Sequence, residues 1–274
     1  MVDEEWTPAG IDPTKPNIGR VYDYLIGGKD NFAIDREVGD EILRLVPDAR
    51  ESGKANRAFL RRAVRYMVNE AGIDQFLDIG SGLPTQGNVH EIAQELNPRA
   101  KVVYVDNDPV VLVHTRALLE NRDTTTVIMG DLRRPDEIVG SPVARDFLDF
   151  DRPIGMLMIS ILHHINDDED PVAITATLRG ALAPGSHMAI THFHNPGPER
   201  PEDAAIALAS EKQFNEKFGT GRFRTREEIR AYFGDWDLVD PGLVPMPAWR
   251  PDVAGRRTLS GVFHRTLGGV ARKP

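Results

Sequence analysis

Apolar residues recur along this chain in two rhythms, and the order of those rhythms predicts an architecture. Apolar runs at 75–79, 101–106, 124–129, 154–161 and 187–193 have the length of buried strands. Between them, 88–96, 109–120, a short stretch near Pro135 and 171–182 carry helical spacing. Strands alternating with helices predict βαβ units, hence a parallel sheet covered by helices on both faces. Upstream, Ala55, Phe59, Ala63, Val64, Met67 and Val68 form one buried stripe of a helix over 54–70, and a shorter helix is predicted over 36–45, stopped near Pro47. Downstream, helices over 204–217 and 225–232 precede weaker strands at 236–240 and 259–266, with 241–257 as the connection. The alternation ends there, which predicts a terminal antiparallel hairpin. Pro8, Pro13, Pro16 and the Gly27-Gly28 pair, with little apolar periodicity, make the first 30 residues or so a loop-rich arm. The expected organisation is an arm with helices over 1–70 and an α/β domain over 71–274.

Composition narrows the setting. In 274 residues no run approaches the ~18 apolar residues of a membrane span, and the richest, 154–161, is far too short. The start, Met1-Val2-Asp3-Glu4-Glu5-Trp6, is acidic where a secretory signal is basic and then apolar, so a cytoplasmic protein is expected, with no membrane partner. The absence of cysteine removes disulfides, thiolate metal sites and sulfur nucleophiles. A net charge of −9 disfavours nucleic acid as a partner, because phosphate binding calls for a dominant basic face. Arg57, Arg61, Arg62 and Arg65 fall on the predicted helix over 54–70, where they read as a solvated face.

The chemistry concentrates at strand ends. Phe76-Leu77-Asp78-Ile79-Gly80-Ser81-Gly82 is an apolar strand closed by a Gly-x-Gly turn, which lets a ligand approach the backbone. A nicotinamide cofactor needs a third glycine where Thr85 stands, after Leu83 and Pro84, and Asp78 would repel its pyrophosphate. The same acid suits a cationic amino group. Asp106 ends Val102-Val103-Tyr104-Val105-Asp106 and has acceptor sites enough for both hydroxyls of a ribose, while Asp108, directly before Pro109, is the better helix cap. Gly130-Asp131-Leu132 follows the third strand: the acid can accept from an adenine amine and Leu132 can cover the ring.

This order, with Ile159-Ser160-Ile161-Leu162-His163-His164 and Leu182-Ala183-Pro184-Gly185, resembles the class I S-adenosylmethionine-dependent methyltransferases over about residues 74–194. The arm from Asn17-Ile18-Gly19-Arg20-Val21-Tyr22-Asp23-Tyr24 to Asn31-Phe32, and the turn Leu83-Pro84-Thr85-Gln86-Gly87-Asn88-Val89-His90, resemble more narrowly a bacterial family called S-adenosyl methyltransferases. The resemblance implies a doubly wound, Rossmann-like α/β fold: a seven-stranded, mostly parallel sheet with a C-terminal antiparallel strand. It implies S-adenosyl-L-methionine as cofactor and no particular acceptor. The expected cofactor-binding set is Arg20, Tyr24, Asp78, Gly80, Ser81, Gly82, Asp106, Asn107, Gly130, Asp131, Leu132 and Ser160. His163 and His164 are candidate catalytic groups beside the expected sulfonium; packing against the cofactor is their alternative. Asn88 and His90 read as pocket-lining groups or as helix surface. His192 and His194 point the same way on one strand, but with no third ligand in view no metal is expected.

Methyl transfer from a sulfonium is an in-line displacement whose leaving group needs no proton, so approach and alignment do most of the work, worth ~7 to 11 kcal/mol. A small-molecule methyl acceptor is expected. Base-modifying relatives use a cysteine, absent here, or an Asn/Asp-Pro-Pro-aromatic stretch where this chain reads Ile159-Ser160-Ile161-Leu162. The alternative is a non-catalytic protein that senses or sequesters the cofactor. The arm over 17–32 is read either as a lid on the cofactor or as a structural strap.

Overall fold

A computed structural model describes residues 12–84, 87–118, 123–252 and 261–274. Three helices lead: α1 (Ile18–Ile26), α2 (Ala33–Leu45) and α3 (Ala49–Asn69). Then come β1 (Gln75–Ile79), α4 (Val89–Leu96), β2 (Lys101–Asp106), α5 (Pro109–Leu118), β3 (Thr125–Met129), α6 (Pro135–Val139), α7 (Pro142–Phe147), β4 (Gly155–Ile159), α8 (Pro171–Gly180) and β5 (His187–Phe193). The remainder is α9 (Pro201–Phe218), α10 (Arg226–Ala231), β6 (Asp237–Leu238), β7 (Val244–Pro245), α11 (Gly261–His264) and β8 (Thr266–Arg272).

Seven strands follow the order β3-β2-β1-β4-β5-β8-β6, and the two-residue β7 adds an eighth on β8. The strands β1 to β5 pair in parallel, whereas β8 runs antiparallel to β5 from His187↔Arg272 to Phe193↔Thr266. This is the Rossmann-like sheet that the resemblance implied. Strand order reverses between β1 and β4, and a crevice opens beyond their carboxyl ends.

Period-two alternation divides the core. Leu77, Val103, Met156, Met158 and Ile190 face one layer with Ile138, Leu178 and Phe233; Phe76, Val102, Leu157 and Ala189 face the other with Phe59, Val64 and Met67 of α3. Burying each such side chain stabilises the fold by roughly 1.5–3 kcal/mol, which is why five strands need no polar side to stay in register.

Three expectations change. The arm contains a helix: Ile18, Val21, Tyr22 and Leu25 make one turn-spaced apolar stripe, and Asn17 caps it, its Oδ1 accepting from the N–H groups of Gly19 (2.8 Å) and Arg20 (3.2 Å). The last strand lies at Thr266–Arg272 instead of 259–266, where Gly261–His264 is helical; residues 253–260 lie outside the described residues. Within β8 a Cβ at Gly268 would stand 2.8 Å from Phe59 Cε2, so the aromatic core itself requires glycine there. Of the α3 arginines, Arg61 and Arg65 are exposed as expected, but Arg62 is buried, donating to the carbonyls of Trp249 and Met246, each at 2.8 Å. Pro8, Thr85 and Glu120 lie outside the described residues.

Candidate active site

The crevice is a cavity of about 230 Å³, walled mainly by apolar atoms. The turn after β1 forms one end. Gly80 has φ +72, and a Cβ there would lie 2.5 Å from Ile161 Cγ1, so only glycine lets the turn meet the loop after β4. Ser81 and Gly82 continue the wall, and Ser81 Oγ is buried with no hydrogen-bond partner.

Two carboxylates face this end. Asp78 is 7% exposed and accepts no hydrogen bond among the described residues. Burial therefore pushes its carboxyl up to about 7, the nearby Asp106 adds to the rise, and Arg57 works against it. Asp106 is held instead: one oxygen accepts from Gly82 N–H at 2.9 Å, the other from Asp108 N–H at 3.0 Å. Burial raises its carboxyl as well, against those two backbone bonds. Each oxygen retains acceptor capacity toward the cavity. Asn107, Asp108 and Arg57 line the same end.

Midway along the cavity Ser160 sits in the left-handed region, φ 60, which costs on the order of 1–3 kcal/mol unless its surroundings hold it. They do: Ser160 N–H donates to Thr191 Oγ1 at 2.9 Å, Thr191 Oγ1 donates to Asn56 Oδ1 at 2.7 Å, and Asn56 Nδ2 donates to Tyr22 Oη at 3.0 Å. This chain ties the ends of β4 and β5 to α3 and α1, and all four residues line the cavity. Asn17, Ile18, Val21 and Leu25 complete the α1 roof. The sequence reading placed Ser160 but missed Asn56 and Thr191, whose partners are distant in the chain.

Beyond Ser160 the walls turn aromatic. His163 and His164, in the turn Leu162–His164, line the cavity with His192, Phe193, Phe214 and Phe223. Burial holds His164 down to about 4 and His192 to about 3, and His163 well below its ordinary value. Arg224 adds to the drop at His163 and His192. It also fixes a tautomer: its Nη1 donates to His192 Nε2 at 3.2 Å, so His192 Nδ1 carries the hydrogen and donates to Phe193 O at 2.6 Å. Arg224 further donates to Ile165 O (2.8 Å) and Asp167 Oδ1 (2.7 Å), pinning the histidine turn. At neutral pH these imidazoles are uncharged and weakly basic, which makes the expected catalytic pair, His163 and His164, poor general bases.

Seven of the twelve expected cofactor residues meet at the cavity: Asp78, Gly80, Ser81, Gly82, Asp106, Asn107 and Ser160. The other five do not line it. Arg20 is buried against Asp35, Nε to Oδ2 at 2.7 Å, and lies over Phe32. Tyr24 Oη donates to Asp40 at 2.7 Å, with Arg50 over its ring. Asp131 is gripped by Arg133 at 2.5 Å, which lowers its carboxyl; Leu132 is in the core; Gly130 packs on Val105 and Ile138. In each case a local partner outcompetes the cavity. Asn88 and His90 line a small recess behind the turn, where His90 N–H donates to Tyr104 Oη at 2.9 Å. His194 Nδ1 donates to His264 O at 2.7 Å, and among the described residues no cluster of three metal-ligating side chains is found around His192 and His194. Nor is any helix among them long and apolar enough to cross a membrane.

A glycine turn at a switch point, with carboxylates near the carboxyl ends of β1 and β2, fits an S-adenosylmethionine-dependent methyltransferase, and the family match shows that class. The chain belongs to the S-adenosyl methyltransferase family, whose model matches residues 4–274. It is 43% identical to a candidate methyltransferase from Thermobifida fusca YX, with a TM-score of 0.92 over 98% of this chain and 99% of that one. A DUF574 family protein from Streptomyces avermitilis MA-4680 is 37% identical, with a TM-score of 0.88 over 96% and 99%. Human N-acetylserotonin methyltransferase, solved in complex with S-adenosylmethionine, shares the fold alone: 14% identity and a TM-score of 0.50 over 95% of this chain and 63% of that one. No curated protein matches the sequence significantly.

Proposed function

We propose that the cavity holds S-adenosylmethionine at its acidic end and that the chain transfers its methyl group to a small molecule, in the cytoplasm. The residues fit the cofactor. Asp78, buried and without a hydrogen bond among the described residues, suits an ammonium; Arg57 beside it suits a carboxylate; Asp106 has acceptor sites for ribose hydroxyls; Ser81 Oγ has no partner among the described residues and could meet a polar ligand. When bound, the cofactor supplies an electrophilic methyl group and a neutral thioether as leaving group. The chain's own contribution is placement: Ser160 and Thr191 shape the wall at the centre, and the α1 roof excludes water.

The observation that carries this reading is continuity. The cavity runs from Asp78 past Ser160 to Phe193 and Phe223, so the acidic end opens on an acceptor compartment instead of a closed wall. That favours catalysis over storage of the cofactor. A small-molecule acceptor is supported by the enclosure and by the net charge of −9. The test is transfer of labelled methyl groups to a cell extract divided by size. Label is expected in the low-mass fraction and is expected to vanish with Asp106→Ala; label in protein or nucleic acid would overturn the acceptor class.

A further inference from the structure

The far end of the cavity differs in chemistry from the cofactor end. Its carboxylate-bearing lining residues, Asp78, Asp106 and Asp108, all lie at the cofactor end. At the far end α9 presents Ser210 and Phe214, one helical turn apart, and Arg265 and Thr266 stand at the start of β8. The adjacent Asp203 is neutralised by Arg265 Nη1 at 2.8 Å and Arg200 Nε at 2.6 Å. Ser210 Oγ and Thr266 Oγ1 are buried without a partner, as are Nδ1 of His163 and of His164. Four polar atoms on residues that line this compartment thus lack partners among the described residues, and a hydroxyl- or carboxylate-bearing ligand could supply them.

The rings decide its shape. Phe193 is sandwiched, with His163 stacked on one side at 3.7 Å and 18° and Phe223 on the other at 4.6 Å and 14°. With both faces covered, Phe193 meets the cavity with its edge, the electropositive rim of the ring. An edge attracts the face of another arene and repels a cation, the reverse of an aromatic cage for ammonium groups. Arg224, although paired with Asp167 at 2.7 Å, still lowers His163 and His192, so it too disfavours a cation on this side.

We infer that this compartment binds a planar hydroxyarene, neutral or anionic, whose ring oxygen is the methyl acceptor. The inference rests on the methyltransferase reading and names its substrate class. In the transfer, the acceptor oxygen forms the new bond to the methyl carbon, the methyl–sulfur bond breaks with its pair going to sulfur, and the hydroxyl proton passes to water. A cationic amine is repelled by the Phe193 edge, and a saturated alcohol gains nothing from it.

The test is calorimetry on the full chain saturated with S-adenosylhomocysteine, whose own binding is measured first. The probes are 4-hydroxybenzoate and 3-hydroxy-2-naphthoate, cationic tyramine, and saturated trans-4-hydroxycyclohexanecarboxylate. One hydroxyarene acid is expected to bind about tenfold more tightly than tyramine and the saturated acid. Phe223→Leu and Ser210→Ala are each expected to weaken that binding about fivefold while leaving S-adenosylhomocysteine affinity unchanged, which also reports that the variants fold. Tighter binding of tyramine or the saturated acid, or no hydroxyarene binding to the loaded protein, overturns the inference and leaves the methyltransferase reading intact. Failure of S-adenosylhomocysteine itself to bind overturns both.

Discussion

Replacing Asp78 by asparagine is expected to make the protein more stable and unable to hold its cofactor. The carboxyl of Asp78 is pushed from 3.8 to about 7 in the folded chain, chiefly by burial. At about 1.36 kcal/mol per pKa unit, the folded state carries a penalty of about 4 kcal/mol once the group ionises. Below pH 3.8 the acid is protonated folded or unfolded and there is no penalty. Between 3.8 and about 7 the unfolded chain releases the proton that the folded chain keeps, so stability falls as pH rises, and the full cost is present above 7. Asparagine has nearly the same shape and nothing to ionise. Urea unfolding should therefore find Asp78→Asn more stable than the parent by about 2 kcal/mol at pH 5 and about 4 kcal/mol at pH 8. Comparing the two proteins at each pH cancels every other titrating group. S-adenosylhomocysteine at a hundred times its Kd should add about 2.7 kcal/mol to the parent and nothing to the variant. A variant no more stable than the parent at pH 8, or a difference that is flat in pH, would refute the claim that Asp78 is a buried carboxylate waiting for a cation.

Other outcomes follow from the same geometry. Gly80→Ala places a methyl group 2.5 Å from Ile161 in a backbone at φ +72; thermal melts should show a loss of about 1–3 kcal/mol, and calorimetry a weaker cofactor. Asn56→Ala leaves Thr191 and Tyr22 without their shared partner and should cost about 1–3 kcal/mol in urea unfolding; a neutral result would mean that the chain from Ser160 to α1 does not hold the wall. Ring proton resonances of His164 and His192, with folded values of about 4 and about 3, should not move between pH 5.5 and 8, and a midpoint near 6.5 for His164 would restore it as a general base. Because these folded values are lowered, both histidines should subtract stability as pH falls below 6.5, opposite in sign to Asp78.

The strands and their order were legible because five apolar runs sit between helical patterns, and β2 and β5 occupy the expected residues throughout. The glycine turn and Asp106 were legible too, since local backbone chemistry dictates them. Less legible was anything decided by a distant partner. The α1 stripe is interrupted by Gly19, Arg20 and Asp23, and the last two serve distant partners, Asp35 and Asn31. Gly268 is required in β8 by the Phe59 ring, a partner 209 positions away that no local pattern announces. Asp131 follows the third strand as a cofactor ligand would, yet Arg133, two residues on, takes its carboxylate. Arg224, which sets the His192 tautomer, carries no local signal at all because its contacts lie 57 to 62 residues away for the histidine turn.

The most direct test of the account is titration of the purified protein with S-adenosylmethionine, S-adenosylhomocysteine and NAD by calorimetry, with Asp106→Ala alongside. Binding of the two sulfur compounds at one site, lost in the variant, with no NAD binding, is the expected result. Binding of NAD, or sulfur-compound binding indifferent to Asp106, would contradict it.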